Sequence, residues 1–269
     1  MLVKGKTYVI AEIGINHMGD IDMGKKLIDS AVNSGVDAVK FQTYITEKRA
    51  PKGNQEIFDI LKKCELPFSA FDELKNHTNQ YDVDFFSTPF DEESVDCLND
   101  IGVNIYKIAS FDTVNHKLLR YVRKYADTII MSSGMSTLDE VKKAYDILSD
   151  DVDDIILLHC VSSYPTEVKD ANLNVINTLQ TNFPNCMIGQ SDHTPDIKIS
   201  TLAVACGARV IEKHFKIDED CVDAPVSILP YQMSDLINGI RDLETMLGDG
   251  KMGMTSNQES TKIFRRFSE

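Results

Sequence analysis

Tyr8-Val9-Ile10-Ala11-Glu12-Ile13-Gly14-Ile15-Asn16-His17 is the stretch on which the fold turns. Its first six residues form an apolar, β-rich run of the length of one buried strand, and the run breaks at a glycine ahead of a polar Asn-His pair. A dinucleotide-binding sheet would need several glycines here, in the pattern Gly-x-Gly-x-x-Gly, so that backbone can approach a pyrophosphate. Gly14 stands alone. An open doubly wound sheet is therefore the weaker of two readings.

Working outward, the same unit recurs. Apolar β-rich runs lie near Tyr8–Ile13, Ala38–Phe41, Asp84–Phe86, Ile105–Ile108, Thr128–Met131, Ile155–Leu158, Met187–Ile188 and Val210–Glu212. Helix-period stretches separate them: Met23–Asn33 closed by Gly35, Glu92–Asp100 closed by Gly102, Lys117–Tyr125, and Thr137–Leu148, where Thr137 and Glu140 read as a capping box. Further helices are predicted at Asn172–Thr181, at Ile197–Cys206 before Gly207, and at Met233–Leu247 before Gly248. The long mixed stretch Ile45 to Tyr81 predicts helices near Gln55–Cys64 and Ser69–Gln80 and an extra loop over the mouth of the fold. Parallel strands buried on both faces avoid an exposed edge by closing, so eight strand-helix repeats predict a (β/α)8 barrel spanning 1–250, with 251–269 as a tail.

Composition narrows the function. The 269 residues carry 42 acidic and 28 basic side chains, a formal charge of −14, which argues against a nucleic-acid or anionic-membrane partner. An anionic substrate must then be held by a few local cations against the global field. No run of eighteen apolar residues and no apolar leader are present, and the six cysteines, Cys64, Cys97, Cys160, Cys186, Cys206 and Cys221, show no Cys-x-x-Cys pair. Reduced thiols in a cytoplasmic protein are expected.

In a barrel the active site gathers at the carboxyl ends of the strands. Those ends read Glu12 with Asn16 and His17; Lys40, Gln42 and Thr43; Ser87-Thr88-Pro89-Phe90; Lys107 and Ser110; Ser132-Ser133-Gly134-Met135; His159 with Ser162-Ser163-Tyr164-Pro165; Ser191-Asp192-His193-Thr194; and Glu212-Lys213-His214-Phe215. Two chemical subsets separate. Lys40, Lys107, Thr88, Ser110, Ser132 and Ser133 are the cations and small donors that hold phosphate and carboxylate oxygens. His193, His214, Glu12 and Glu212 are of the types that bind a first-row metal, and two histidines that leave positions open suit a catalytic Mn, Fe or Zn ion. His77 and His116 read as solvated surface residues, His159 as a residue behind the site, and Cys160 beside His159 as sequence adjacency rather than a nucleophile pair.

These strings resemble the sialic acid synthase family, the phosphoenolpyruvate-dependent makers of nonulosonic acids. The resemblance is carried by Ala11-Glu12-Ile13-Gly14-Ile15-Asn16-His17-Met18-Gly19, Val39-Lys40-Phe41-Gln42-Thr43, Phe86-Ser87-Thr88-Pro89-Phe90, Tyr106-Lys107-Ile108-Ala109-Ser110, Ser133-Gly134-Met135, Leu157-Leu158-His159-Cys160, Tyr164-Pro165, Gly189 with Ser191-Asp192-His193-Thr194, and Ile211-Glu212-Lys213-His214-Phe215. They occur in the family's order through nearly the whole chain. The resemblance implies a barrel in which Glu12, Lys40, Thr88, Lys107, Ser110, Ser133 and Ser191 surround phosphoenolpyruvate while His193 and His214 bind a divalent cation, Mn2+ first and Mg2+ or Co2+ next. Gln42, Tyr164 and Asp223 would face an N-acyl amino sugar. It also implies a homodimer.

Three departures stand out. Asp112 replaces a glutamate that in the family meets the sugar, and Ser162 lies where an asparagine is common. Family members continue into a small antifreeze-like domain, and Phe264-Arg265-Arg266-Phe267-Ser268-Glu269 resembles the entrance to it, so a barrel without that domain is expected. Two other readings remain: a related phosphoenolpyruvate-dependent synthase acting on a phosphorylated aldose, which calls for a second basic cluster at the mouth, and a non-catalytic ligand-binding barrel.

Overall fold

The structure, a computed structural model, describes residues 5–152 and 154–267. Strands β1 (Tyr8–Gly14), β2 (Ala38–Thr43), β3 (Asp84–Pro89), β4 (Ile105–Ile108), β5 (Thr128–Ser132), β6 (Asp154–Cys160), β7 (Met187–Asp192) and β8 (Val210–His214) pair in chain order, all parallel. Strand β8 returns to β1 and closes the barrel. The eight-stranded (β/α)8 architecture expected from the repeats is therefore what the chain adopts.

Helices α1 (Ile21–Asn33), α2 (Thr46–Arg49), α3 (Gln55–Cys64), α4 (Phe68–Thr78), α5 (Glu92–Asp100), α6 (His116–Val122), α7 (Leu138–Leu148), α8 (Asn174–Asn182), α9 (Lys198–Ala205) and α10 (Pro230–Leu247) fill the connections. Their starts follow local chemistry. The carboxylate of Asp20 accepts from the backbone of Asp22 and Met23 and starts α1 two residues before the predicted Met23. Thr137 and Glu140 form the capping box that opens α7. Asn172, predicted as helical, sits at φ +40°, so α8 begins only at Asn174. Pro230 at the first turn begins α10 three residues ahead of the predicted start. The four-residue α2 was not expected at all.

The core lies between the strands and the inner faces of these helices and includes Ile10, Val39, Phe86, Tyr106, Ile130, Leu157 and Ile211. Gly189 is demanded by it: a Cβ there would lie 2.3 Å from the Val210 carbonyl oxygen and 2.6 Å from Leu158 Cδ2. No helix among the described residues is long and apolar enough to cross a membrane, and all six cysteines are free thiols. The predicted tail contains a 3-10 segment, Ser256–Phe264, that is exposed throughout; the ends of the chain at 1–4 and 268–269 lie outside the described residues.

Strand ends were the least accurate part of the sequence reading. Strand β3 runs to Pro89 rather than Phe86, and β7 to Asp192 rather than Ile188. The ladder continues through polar residues because their side chains alternate between the barrel interior and the helix layer. Glu212 and His214 point inward; Lys213 between them points outward and pairs with Asp192 at 3.2 Å.

Candidate active site

Register explains why residues distant in sequence meet. Glu12 on β1 lies level with Lys40 on β2 and with His214 on β8. Gln42 lies level with Thr88, Cys160 with Ser191, and Ser191 with Glu212. Their inward side chains line one cavity at the carboxyl end of the barrel, with about 760 Å³ of empty space including its open mouth.

The floor is an ion-pair array. Lys40 Nζ is 2.7 Å from Glu12 Oε2 and 3.6 Å from Glu212 Oε2, and it donates to Thr88 Oγ1 at 3.0 Å. Lys107 Nζ is 3.6 Å from Glu212 Oε1 and donates to Ser132 Oγ at 2.7 Å. Ser191 donates to the same Glu212 oxygen at 2.7 Å. Burial works against the Glu212 carboxylate, yet Lys107, Lys40 and Ser191 outweigh it and hold the group down at about 2. Burial likewise disfavours the Lys40 ammonium, and Glu12 and Glu212 reverse that and raise it. Lys107 lacks so close a partner and burial draws it down. The ammonium groups and hydroxyls thus converge with carboxylates already beside them.

Two residues beyond Ser191 and Glu212, on the same side of the barrel, stand two imidazoles. The rings of His193 and His214 stand 5.3 Å apart between centroids, and Tyr164, 48% exposed, covers His193 at 4.1 Å. His193 Nδ1 lies 2.8 Å from the Val161 carbonyl oxygen, a contact it makes as a donor, which leaves Nε2 as the lone-pair nitrogen. Nδ1 of His214 has no hydrogen-bond partner and is 3.4 Å from Asp223 Oδ2. Two imidazoles with this freedom fit a divalent cation whose remaining positions are filled by ligand or water. No preassembled group of three or more His, Cys, Asp or Glu donors occurs among the described residues. Glu12 and Glu212, offered by type as metal ligands, are instead committed to the lysines, Gln42 and Ser191.

Most of the predicted residues therefore share the cavity: Glu12, Lys40, Gln42, Thr88, Lys107, Ser110, Tyr164, Ser191, His193, His214 and Asp223 all line it. Gln42 donates to Glu12 Oε1 at 2.9 Å, and the Asp223 backbone N–H donates to Asn16 Oδ1 at 2.9 Å. Gly14, at φ +57°, lets these groups crowd together, since a Cβ there would lie 3.2 Å from Asp223 Oδ2 and 3.3 Å from both Gln42 Nε2 and Glu12 Oε1.

Three predicted residues are not on the cavity wall. Ser133 donates its hydroxyl to the Leu158 carbonyl, and Ser132, one residue earlier in the alternation, is the serine that faces the cavity. Asp112 sits in the Ser110–Asp112 turn and accepts from Asn115 at 2.9 Å. Ser162 packs behind Gly134, its hydroxyl buried without a partner. The other histidines lie away from the cavity. His17 faces a separate depression with Asp20 and Lys216, His159 Nε2 meets the Ala171 carbonyl at 2.7 Å away from the cavity, and His77 pairs with Asp29 at 2.6 Å rather than with solvent alone. Cys160, buried in the wall, neighbours His193 Nδ1 at 3.8 Å, not His159.

One charged cavity residue escaped the sequence reading. Arg49, the last residue of α2, brings its guanidinium 4.0 Å from the Phe90 ring centroid and 4.4 Å from that of Tyr44. The only signal for it was the expected extra loop over the mouth, within which it lies.

Comparison with known proteins finds relatives in sequence and in fold. The family model described as NeuB family matches residues 27–252. The chain is 44% identical to an uncharacterized protein of Methanocaldococcus jannaschii, a match covering 98% of this chain and 79% of that one. It is 38% identical to the N,N'-diacetyllegionaminic acid synthase of Campylobacter jejuni, covering 97% of this chain and 84% of the relative. The crystal structure of the N-acetylneuraminic acid (sialic acid) synthetase of Leptospira borgpetersenii in complex with citrate superposes with a TM-score of 0.92 at 36% identity, over 97% of this chain and 91% of that chain.

Proposed function

This chain belongs to the NeuB family, and on that basis we propose that it is a synthase condensing phosphoenolpyruvate with the open-chain form of an N-acyl hexosamine to give a nine-carbon 2-keto sugar acid and phosphate. The observation that carries the reading is the meeting of Lys40, Lys107 and their hydroxyl partners with the His193–His214 pair in one cavity. The acceptor is N-acetylmannosamine or a 2,4-diacetamido sugar; the diacetyllegionaminic acid synthase among the relatives favours the second.

In this reading Lys40 and Lys107 take the anionic oxygens of phosphoenolpyruvate as point charges, and Thr88, Ser110, Ser132 and Ser191 complete the shell with hydroxyl donors. His193 and His214 would hold a divalent cation, Mn2+ first, which supplies Lewis-acid polarisation of the acceptor's aldehyde oxygen. The methylene carbon of phosphoenolpyruvate then bonds to the aldehyde carbon. Water adds to the cationic carbon that results, and carbon-oxygen cleavage of the tetrahedral adduct expels phosphate. Glu12, held beside Lys40 and Gln42, faces that carbon as the group that stabilises its charge or orients the water. Fixing both reactants in one pose contributes about 7 kcal/mol or more to lowering the barrier.

The test is phosphate release from phosphoenolpyruvate against N-acetylmannosamine, a 2,4-diacetamido hexose and a phosphorylated aldose, before and after chelation and with Mn2+ restored. Release that requires an N-acylated sugar and returns with Mn2+ supports the proposal. Phosphoenolpyruvate binding without release under any condition returns the non-catalytic barrel, and preference for the phosphorylated aldose returns the related synthase.

A further inference from the structure

Arg49 is the cation that the reaction as described does not use. It lines the cavity beside Phe90, and its Nη1 is buried without a hydrogen-bond partner. A guanidinium group left with an unsatisfied, desolvated N–H is costly unless something completes it, and the oxygen of a ligand entering the cavity that Arg49 lines is a group that does so. The rings of Tyr44 and Phe90 fix its plane at 4.4 and 4.0 Å, which costs the side chain its freedom before any ligand arrives.

Its surroundings define what it meets. The carboxylates whose field reaches it are Asp223, Glu12 and Asp112, on the side of the cavity where Gln42 and Asp223 crowd Gly14, and not the phosphate-type donors around Lys107. A single cation among carboxylates is poorly matched to a phosphate dianion. It is well matched to a neutral carbonyl oxygen. Ile15 and Tyr44 belong to a small apolar cluster, separate from the main core, against which Phe90 packs, and Ile15 and Phe90 also line the cavity. A donor set in an apolar collar is complementary to an acyl group, with its oxygen on the guanidinium and its methyl on the collar.

We infer that Arg49 is a specificity-determining residue that binds the acyl carbonyl oxygen of the amino-sugar acceptor and so selects N-acylated over plain and phosphorylated sugars. The inference rests on the condensation proposed above and deepens it.

The test is steady-state phosphate release by the full chain and its Arg49→Gln and Arg49→Lys variants, with thermal midpoints to show that each folds. For N-acetylmannosamine or a 2,4-diacetamido hexose, KM is expected to rise about tenfold or more in Arg49→Gln, the size of one hydrogen bond to a charged group. KM for phosphoenolpyruvate should stay within about twofold, and Arg49→Lys, which keeps the charge but not the planar fork, should recover only part of the loss. An unchanged acceptor KM in Arg49→Gln, or an equal rise for both substrates, overturns the inference and leaves the condensation reading standing. Wild-type turnover of mannose as efficient as that of the acylated sugar also overturns it. Absence of release by the wild type with every acylated sugar removes the condensation reading and the inference together.

Discussion

Replacing Glu212 with glutamine should destabilise the protein and tighten its hold on phosphoenolpyruvate at the same time. The carboxylate lies 3.6 Å from both Lys40 and Lys107, and each contact is worth about 4–5 kcal/mol of gross Coulomb attraction at an effective dielectric near 20. The net loss on breaking a buried pair is about 3–5 kcal/mol. It should fall at the lower end, because Lys40 keeps Glu12 at 2.7 Å and glutamine still accepts from Ser191. With about 2.1 cal/mol/K of unfolding entropy per residue, a loss of ~3 kcal/mol in 269 residues lowers Tm by about 5 °C. Ligand binding moves the other way. An oxygen seated about 2.8 Å beyond Lys107 Nζ is roughly 6 Å from the Glu212 carboxylate and is repelled by up to about 3 kcal/mol. Removing half of that repulsion tightens Kd about tenfold. Lys107 is drawn down by burial and Glu212 supports its proton, so the gain should be larger at acid than at alkaline pH. Calorimetric titration of phosphoenolpyruvate into Glu212→Gln at both pH values, beside its melting curve, decides the matter. A lower Tm accompanied by equal or weaker binding at the acid pH would refute the reasoning, since the carboxylate would then not oppose an anion in this cavity.

Lys40→Ala and His214→Ala should both abolish condensation, but only the first should cost about 3–5 kcal/mol of stability, because it strands Glu12 in the interior; melting curves set beside turnover separate them. Gly189→Ala should destabilise by about 2–3 kcal/mol in thermal unfolding, because its Cβ would meet the Val210 carbonyl at 2.3 Å, a backbone atom that cannot swing aside. Burial pulls His17 down from its ordinary value to about 4, so the unfolded chain binds the extra proton between pH ~6.5 and ~4. Stability from this site is complete above the upper limit and falls by up to about 3 kcal/mol as pH drops through the lower, and His17→Gln should flatten that part of the stability-pH curve.

The barrel was legible because each strand repeats one pattern, an apolar β-rich run closed by polar residues, and a parallel sheet needs nothing else to declare itself. The site was legible where a residue lies within such a run: Lys40, Lys107 and His214 are fixed to the barrel axis by strand alternation alone. Legibility failed one residue past a strand. Ser132 and Ser133 look alike in sequence, yet only the last residue of β5 keeps the inward phase, and the next turns its hydroxyl to Leu158. Asp112 and Ser162 sit in turns whose direction depends on neighbours remote in the chain. Arg49 is the extreme case: α2 has no apolar period to announce it, and its orientation is set by rings contributed from two separate segments.

Charge shows how far composition reaches. A net −14 requires local cations to hold an anion, and the cavity supplies Lys40, Lys107 and Arg49. It also supplies Glu12, Glu212 and Asp223, so these six fixed charges cancel. Such cancellation is wasteful in an anion site until desolvation is considered. A lysine this deep, 3% exposed in both cases, would shed its proton without a carboxylate nearby, and a neutral amine holds no phosphate. The glutamates therefore keep the lysines charged before the ligand comes and oppose the ligand once it arrives. Affinity is given up so that the ammonium groups are present at all, and the balance between those two effects is what the Glu212→Gln titration measures.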